Sequence, residues 1–494
     1  MQTETVGSVA DRVSVGTTSH QLRALLAMVG VALLLNYVET MIIPGLLTIQ
    51  NDFSTTSSVI AWVTSAFLIV GSAVSPLFGK LGDSYGKKKL FLIALVFYTA
   101  GVGIAGFSPS IYVLIAARAI QGIGFAIVPL ALAIIAETFP RERIATAQGI
   151  VSATFAIGAA FGLILGSLII QDFGWQWAFH SAFILSVILF AVIARFLPKG
   201  STGTGVKVGY QTIVLLMAGV SLLLLYLTEG PYQGWYSAYE VAALVVGAVL
   251  TVGFFVAESR RSNPLIQLSL LRIRNVLVAN GIGIISGIGM FMLFFAVTYY
   301  AEYPSPTGLG LTSFAAGLTM GPAAVLMLVV GPGIGRAVTR AGPKPAMVFG
   351  GLIAIIASVL FILFRATSTN VTLDMAVAMV GIVSIIIPIV NMISVSLPRD
   401  SVATGLGLNT MMRNIGGAIG PVVATTIMSA YTVTLNVGPR QLAFPSSAAF
   451  DYIFYLTIAT MVVAIILAAA AKNYVFARQP SASPRPTGDP TVNN

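Results

Sequence analysis

The length of its apolar runs limits what this chain can fold into more than any other feature. Hydrophobic residues come in blocks of about 20, the length at which an α-helix crosses a hydrocarbon core ~30 Å thick. Hydrophobic residues make up 57% of the chain and charged residues 9%, whereas a soluble domain carries about 25% charge. A soluble enzyme or a disordered chain does not fit that balance. A transmembrane β-barrel would show short segments of alternating polarity instead. The expected fold is an all-α polytopic membrane protein.

Fourteen candidate spans follow along the 494 residues, at about 22–47, 58–79, 88–107, 110–138, 143–170, 177–197, 208–229, 238–258, 275–303, 312–336, 346–365, 372–397, 402–429 and 448–471. An even number puts both termini on one side, and the basic residues say which. Of 26 Lys and Arg, Arg118 and Arg413 fall within spans, and Arg365 and Arg440 lie in loops of one side. The other 22 lie in the tails, in the connections of the opposite side, or at adjacent helix ends. This asymmetry places both tails in the cytoplasm and the protein in the cell membrane. The net charge of +10 then records insertion topology and contact with anionic lipid, not a nucleic-acid surface. The first twenty residues lack a signal-peptide pattern.

Several chemistries are disfavoured by residue type. There is no cysteine, hence no disulfide, thiolate metal site or thiol nucleophile. His20 and His180 are the only histidines and belong to no ligand cluster. No GxxxxGK[ST] loop is present, which argues against ATP-driven transport by this chain. No cofactor and no metal are expected.

Two segments recur at nearly one spacing. GKLGDSYGKK (Gly79–Lys88) matches GRAVTRAGPK (Gly335–Lys344) at an offset of 256. IATAQGI (Ile144–Ile150) matches VATGLGL (Val402–Leu408) at 258, leading into GAAFG and GGAIG at the same offset. The chain therefore reads as a duplicated six-helix bundle, helices 1–6 repeated as helices 9–14, with helices 7 and 8 inserted. The expected divisions are a tail at 1–21, a bundle at 22–200, the insertion at 201–262, a second bundle at 263–478 and a Pro-rich tail at 479–494. A parallel repeat of this kind is a transporter architecture, with a cavity between the halves near the bilayer midplane.

The motifs resemble those of the major facilitator superfamily. Gly79 to Lys89 resembles its signature between helices 2 and 3, and Leu114 to Gly124 (LIAARAIQGIG) the helix-4 signature. Gly158 to Gly166 (GAAFGLILG) resembles the antiporter signature of helix 5, although Gly162-Leu163 stands where Gly-Pro is usual; the proline appears in the second half as Gly420-Pro421. Trp175 to Phe179 resembles the motif opening helix 6. Gly234-Trp235 and Glu258 to Arg274 resemble the fourteen-helix drug:proton antiporter subfamily. The resemblance covers nearly the whole chain. It implies a cytoplasmic charge network in which Gly79, Asp83, Gly86 and Lys87 act with Glu137, Arg141 and Arg143 as a gate latch. The plainer reading of the same residues is a basic topogenic loop with a helix cap.

Ionisable groups at membrane depth are costly and mark function. Glu39 lies roughly 9 Å below the outer end of helix 1 and Arg118 roughly 10 Å into helix 4, at ~1.5 Å per residue. A proton-coupling pair is expected there, sharing hydrogen bonds with Asn36, Thr40 and Gln121; the alternative is a static pair joining the two helices. Arg413 is roughly 16 Å deep in helix 13, with Asn409 one turn away. Glu302 is singled out among acids near outer helix ends because the family often places a polar residue there, while Glu229, Glu240 and Asp374 are expected as solvated rim charges. Gly158, Gly162 and Gly166, and Gly416 and Gly420, form small-residue faces for close helix packing. Trp175, Trp177 and Trp235 are expected as interfacial anchors.

The resulting expectation is a monomeric secondary transporter whose partners are protons, a small-molecule substrate and the bilayer. Its leading form is proton-coupled efflux of amphipathic, cationic compounds by alternating access. The alternative is an importer or facilitator of an organic acid, whose carboxylate Arg118 and Arg413 would clamp. A membrane sensor would need an output domain that both tails are too short to provide.

Overall fold

The computed structural model describes residues 19–140, 147–148, 150–151, 154, 157–196, 211–262, 264, 266–398, 401–437 and 440–473. Fourteen helical units follow one another within them. The first, α1, runs Ser19–Met41, passes through a 3-10 turn at Ile43–Gly45 forced by Pro44, and resumes at Leu46–Asp52. Then come α2 (Ser57–Tyr85), α3 (Lys87–Gly106) and α4, which runs Ile111–Gly122, a 3-10 stretch Ile123–Ala126, and Ile127–Thr138. The described part of α5 is Ile157–Phe173, with a π-helical turn at Gly162–Gly166. The rest are α6 (Trp175–Phe196), α7 (Gln211–Gln233), α8 (Ala238–Ser259), α9 (Arg274–Glu302), α10 (Ser313–Ala341), α11 (Pro343–Phe364), α12 (Ser368–Ser396), α13 (Val402–Ala430) and α14 (Ser447–Ala470).

Twelve of these helices are long and apolar enough to cross a membrane. The two others are α5, described over too short a length, and α13. Although 29 residues long, α13 is diluted by Asn409, Arg413, Asn414 and repeated Gly and Thr. The protein is thus a multi-pass membrane protein. One element was not legible in the sequence: an antiparallel hairpin, β1 (Thr432–Val437) with β2 (Arg440–Pro445), between α13 and α14.

Helix boundaries follow local chemistry. The helices α2, α4, α8, α10, α12 and α14 all start at the end away from the chain termini. Each has a Ser or Thr N-cap whose side chain accepts a backbone N–H in the first turn. We call this the far end, and the opposite one the tail end. There the turns use glycine: Gly86 (φ +97°) joins α2 to α3, and Gly342 (φ +89°) joins α10 to α11. They sit at matching places in the two repeats. Gly86 alone of the glycines in the Gly79–Lys89 stretch has a positive φ. A Cβ at Gly82 would meet Leu130 at 2.6 Å, while one at Gly79 would meet nothing within 4 Å.

The two halves pack as pseudo-equivalent bundles, with α2 against α13 and α5 against α10. The inserted α7 touches both α2 and α13. Gln21 Nε2 donates to Thr138 O in the first half, and Arg274 Nε donates to Ala470 O in the second, so both chain ends belong to the tail end.

Candidate functional site: the gap between the two halves

The π-helical turn of α5 seats α1. A Cβ on Gly158 would lie 2.6 Å from Leu33 O, one on Gly162 2.5 Å from Tyr37 O, and one on Gly166 2.4 Å from Met41 Cβ. Backbone contact at that range is possible only for glycine. Thr40 Oγ1 locks the register by donating to Ala159 O at 3.0 Å. The second half repeats the contact, with Gly416 against Ile284 O and Gly420 2.6 Å from Ile288 O. The glycine faces expected from the sequence are therefore present, and their partners are α1 and α9. Pro421 lies inside α13 next to this contact.

Glu39 projects from α1 just before the Pro44 break. Because the span continues to Asp52, Glu39 lies deeper than the count from the sequence suggested. The charges of Arg118 in the first half and Arg413 in the second both act on its carboxyl. The expected Glu39–Arg118 ion pair is not formed. Among the described residues Glu39 makes no hydrogen bond or ion pair. Arg118 is held elsewhere: Nη1 donates to Gln121 Oε1 at 2.6 Å, Nε donates to Val63 O at 3.1 Å, and the guanidinium lies 4.2 Å over the Phe67 ring. Asn36 Nδ2 turns back to Ala32 O and Thr40 Oγ1 to Asn36 O, both at 2.9 Å. The network expected among Asn36, Thr40, Arg118 and Gln121 forms only between Arg118 and Gln121, because i to i−4 carbonyls take the Asn and Thr side chains.

In α13, Asn409 Nδ2 donates to Ala279 O of α9 at 2.8 Å and is not engaged with Arg413. Arg413 is half-buried and makes no hydrogen bond or ion pair among the described residues.

Among the described residues, several hydrogen bonds join one bundle to the other between mid-length and the far end. Ser65 Oγ donates to Ala418 O at 2.7 Å, Thr48 Oγ1 and Ser313 Oγ are 3.1 Å apart, and Ser58 and Ser429 meet at 3.4 Å. Tyr299 Oη donates to Gln50 Oε1 at 2.8 Å. Burial pushes the hydroxyl of Tyr303 above its usual range, against a hydrogen bond with Gln50. At the tail end a Cβ on Gly79, Gly333, Gly335 or Gly407 would meet nothing within 4 Å, whereas one on Gly405 would meet Leu397 at 2.3 Å. Lys80 Nζ also crosses there, donating to Pro264 O at 2.6 Å.

Glu302 does not join Glu39. It is buried at the far end of α9 beside Tyr299 and Tyr303. At the tail end, Lys87 pairs with Glu137 at 2.5 Å; Arg141 and Arg143 lie outside the described residues, as does the side chain of Asp83. Two expectations need correcting. Trp175 is buried, donating Nε1 to Asp52 Oδ2 at 2.9 Å and packing on Phe53 and Phe179, so it ties α6 to α1 and is no interfacial anchor. Glu240 and Asp374 are buried, not solvated rim charges. Arg365 lies in the turn between α11 and α12, as expected, but is buried there and pairs with Asp451 at 2.6 Å under Tyr300 and Phe454. Among the described residues no group of His, Asp and Glu could hold a metal ion.

The match that decides the family spans residues 28–421, which fit the model of the Major Facilitator Superfamily. The chain belongs to this superfamily. It is 26% identical over 431 residues to the lincomycin resistance protein LmrB of Listeria monocytogenes, covering 85% of this chain and 90% of that one. The fold is also that of the human organic anion transporter MFSD10, with TM-score 0.57, 18% identity, and coverage of 91% of this chain and 99% of that one. A POT family transporter solved with 5-aminolevulinic acid gives TM-score 0.66 at 14% identity, with coverage of 91% and 97%. Membership of the superfamily makes this chain a membrane transporter and not an enzyme.

Proposed function

We propose that this protein is a proton-coupled secondary transporter of a small organic solute bearing a carboxylate. The observation that carries the reading is the charge balance of the gap. Two guanidiniums, Arg118 and Arg413, act on one carboxyl, Glu39, and Arg413 has no internal partner among the described residues. Protonation of Glu39 leaves two positive charges there, and a solute carboxylate then takes over the counter-charge that Glu39 gave up. Loss of that proton restores the internal counter-charge and favours release. Binding and proton thereby become linked through one site. The solute alternates between ends as the halves rock, with Glu302 belonging to the far-end seal, and Lys87, Glu137, Asp83, Arg141 and Arg143 to a tail-end latch. In this reading all fourteen helices cross the bilayer, both termini are cytoplasmic, and a single chain suffices.

A second reading, export of amphipathic drugs in exchange for protons as in the fourteen-helix antiporter subfamily, has its own support. LmrB is named for lincomycin resistance, and Glu39 is free to meet a cation. Proteoliposomes with an imposed proton gradient separate the two. Movement of a panel of small carboxylates, absent from their amides and lost in Arg413→Gln, supports the first reading. Gradient-driven movement of lipophilic cations alone replaces it with the second.

A further inference from the structure

The motif from Glu258 to Arg274 joins α8 to α9 and plays no part in the site described above. It holds four arginines against one acid. At the tail end it folds around a cavity of about 320 Å³, whose lining includes Glu258, Arg261, Pro264, Leu268, Ser269 and Arg272. That volume suits a small molecule or a headgroup, since binding sites of this kind span about 300–1,000 Å³.

The cavity is built by contacts from three helices. Glu258 of α8 is 1% exposed, and its Oε1 accepts the Ile266 N–H at 2.9 Å, which folds the connecting segment back. Lys80 of α2 holds the same segment through Pro264 O at 2.6 Å. Arg261 reaches the start of α7, with Nη1 3.4 Å from Thr212 Oγ1 and Nη2 3.5 Å from Gln211 Oε1. A 3-10 turn at Leu268–Arg272 then brings Ser269 and Arg272 to the cavity. Both are exposed, and neither makes a hydrogen bond or ion pair among the described residues. An unengaged guanidinium and hydroxyl beside a second arginine suit an anion, above all a phosphate.

The surroundings say which phosphate. Both α8 and α9 are long and apolar enough to span a membrane. Just inward of the cavity they expose Val252 and Val256 of α8 and Leu277 of α9, with Ile273 exposed beside Arg272. The cavity therefore stands where two apolar helix surfaces give way to charge, the level of lipid headgroups. We infer that it is a headgroup site for an anionic phospholipid, with Arg261 and Arg272 on the phosphate, Ser269 donating to it, and the acyl chains along the exposed valines and Leu277. A bound lipid joins the end of α8 to the start of α9, and so the inserted pair to the second half. The inference depends on neither reading of the transported solute.

The test needs no transport substrate. Native mass spectrometry of the full-length protein in neutral detergent titrates phosphatidylglycerol against phosphatidylcholine. Phosphatidylglycerol should bind more tightly, and Arg272→Gln should weaken it about tenfold, the loss of one charge-assisted contact. Arg272→Lys should recover only part, because an ammonium lacks the planar fork. Ser269→Ala should weaken binding by a smaller factor, and it checks the site if Arg272→Gln folds poorly. Arg260→Gln removes an exposed arginine that does not line the cavity and should change nothing. Equal losses in Arg260→Gln and Arg272→Gln would overturn the proposal, since the arginines would then act as diffuse surface charge. So would equal binding of the two lipids, or wild-type affinity in both Arg272→Gln and Ser269→Ala. Glycerol phosphate separates the sources of the phosphate: a lipid site should resist it at concentrations far above that of the lipid, and its displacing the lipid at equal concentration would make the site one for a soluble phosphate.

Discussion

The two glycine faces use the same packing and differ in what they present to the gap. In the first half, Gly162 sits against Tyr37 O, Thr40 and Met41; in the second, Gly420 sits against Ile288 O, Phe291 and Met292. By that correspondence Glu39 of α1 has Met290 of α9 as its counterpart. Thr40, which donates to Ala159 O, has the apolar Phe291. Duplication preserved the backbone contact that a rocking bundle needs and let the chemistry diverge. One half carries the acid and Arg118, and the other contributes Arg413. A bundle's internal packing tolerates little change because its neighbours are backbone atoms, whereas a side chain facing the gap meets no such limit.

The sharpest way to break this comparison is to exchange the counterparts. Glu39→Gln should reduce proton-driven transport in proteoliposomes to background, while Met290→Gln should leave it within about twofold, since an uncharged amide adds no proton site. Equal losses would show that the two faces are not chemically distinct. The packing claim is next in size. Gly158→Ala and Gly416→Ala each force a Cβ against a carbonyl oxygen, and each should cost about 1–3 kcal/mol of stability in a detergent thermal-shift assay. A cost confined to one face would deny their equivalence. The two arginines should also part. Arg118→Gln, which loses the bond to Val63 O and the Phe67 contact, should lower the melting temperature by several degrees. Arg413→Gln should leave it unchanged and weaken carboxylate uptake instead. The smallest effect belongs to the α1–α6 tie: Trp175→Phe removes the hydrogen bond to Asp52 and should cost about 1.5–3 kcal/mol at most.

Much of this organisation was legible in the chain. Helix length, the repeat and the buried charges are local or periodic signals, so the helices, the glycine faces, Glu39, Arg118 and Arg413 could be named in advance. What could not be read were pairings across distant segments. Trp175 looked interfacial because it opens a helix, yet Asp52 waits for it more than a hundred residues earlier. Arg365 was placed in its loop, but not its pairing with Asp451 of α14. Asn36 and Thr40 matched a network by spacing, but their own helix carbonyls took them first. The π-helical turn in α5 and the hairpin after α13 have no distinct composition.

In the cycle proposed above, solute passes between two halves that seal by turns, with Thr48 and Ser313 meeting across the far end. The absence of native cysteine makes that directly measurable. In the double variant Thr48→Cys/Ser313→Cys, at a site where the hydroxyl oxygens are 3.1 Å apart, oxidation should form a disulfide across the seal. Transport in proteoliposomes should then stop, and reduction should restore it. Undiminished transport by fully cross-linked protein would contradict the account, because the far end would then have no need to open.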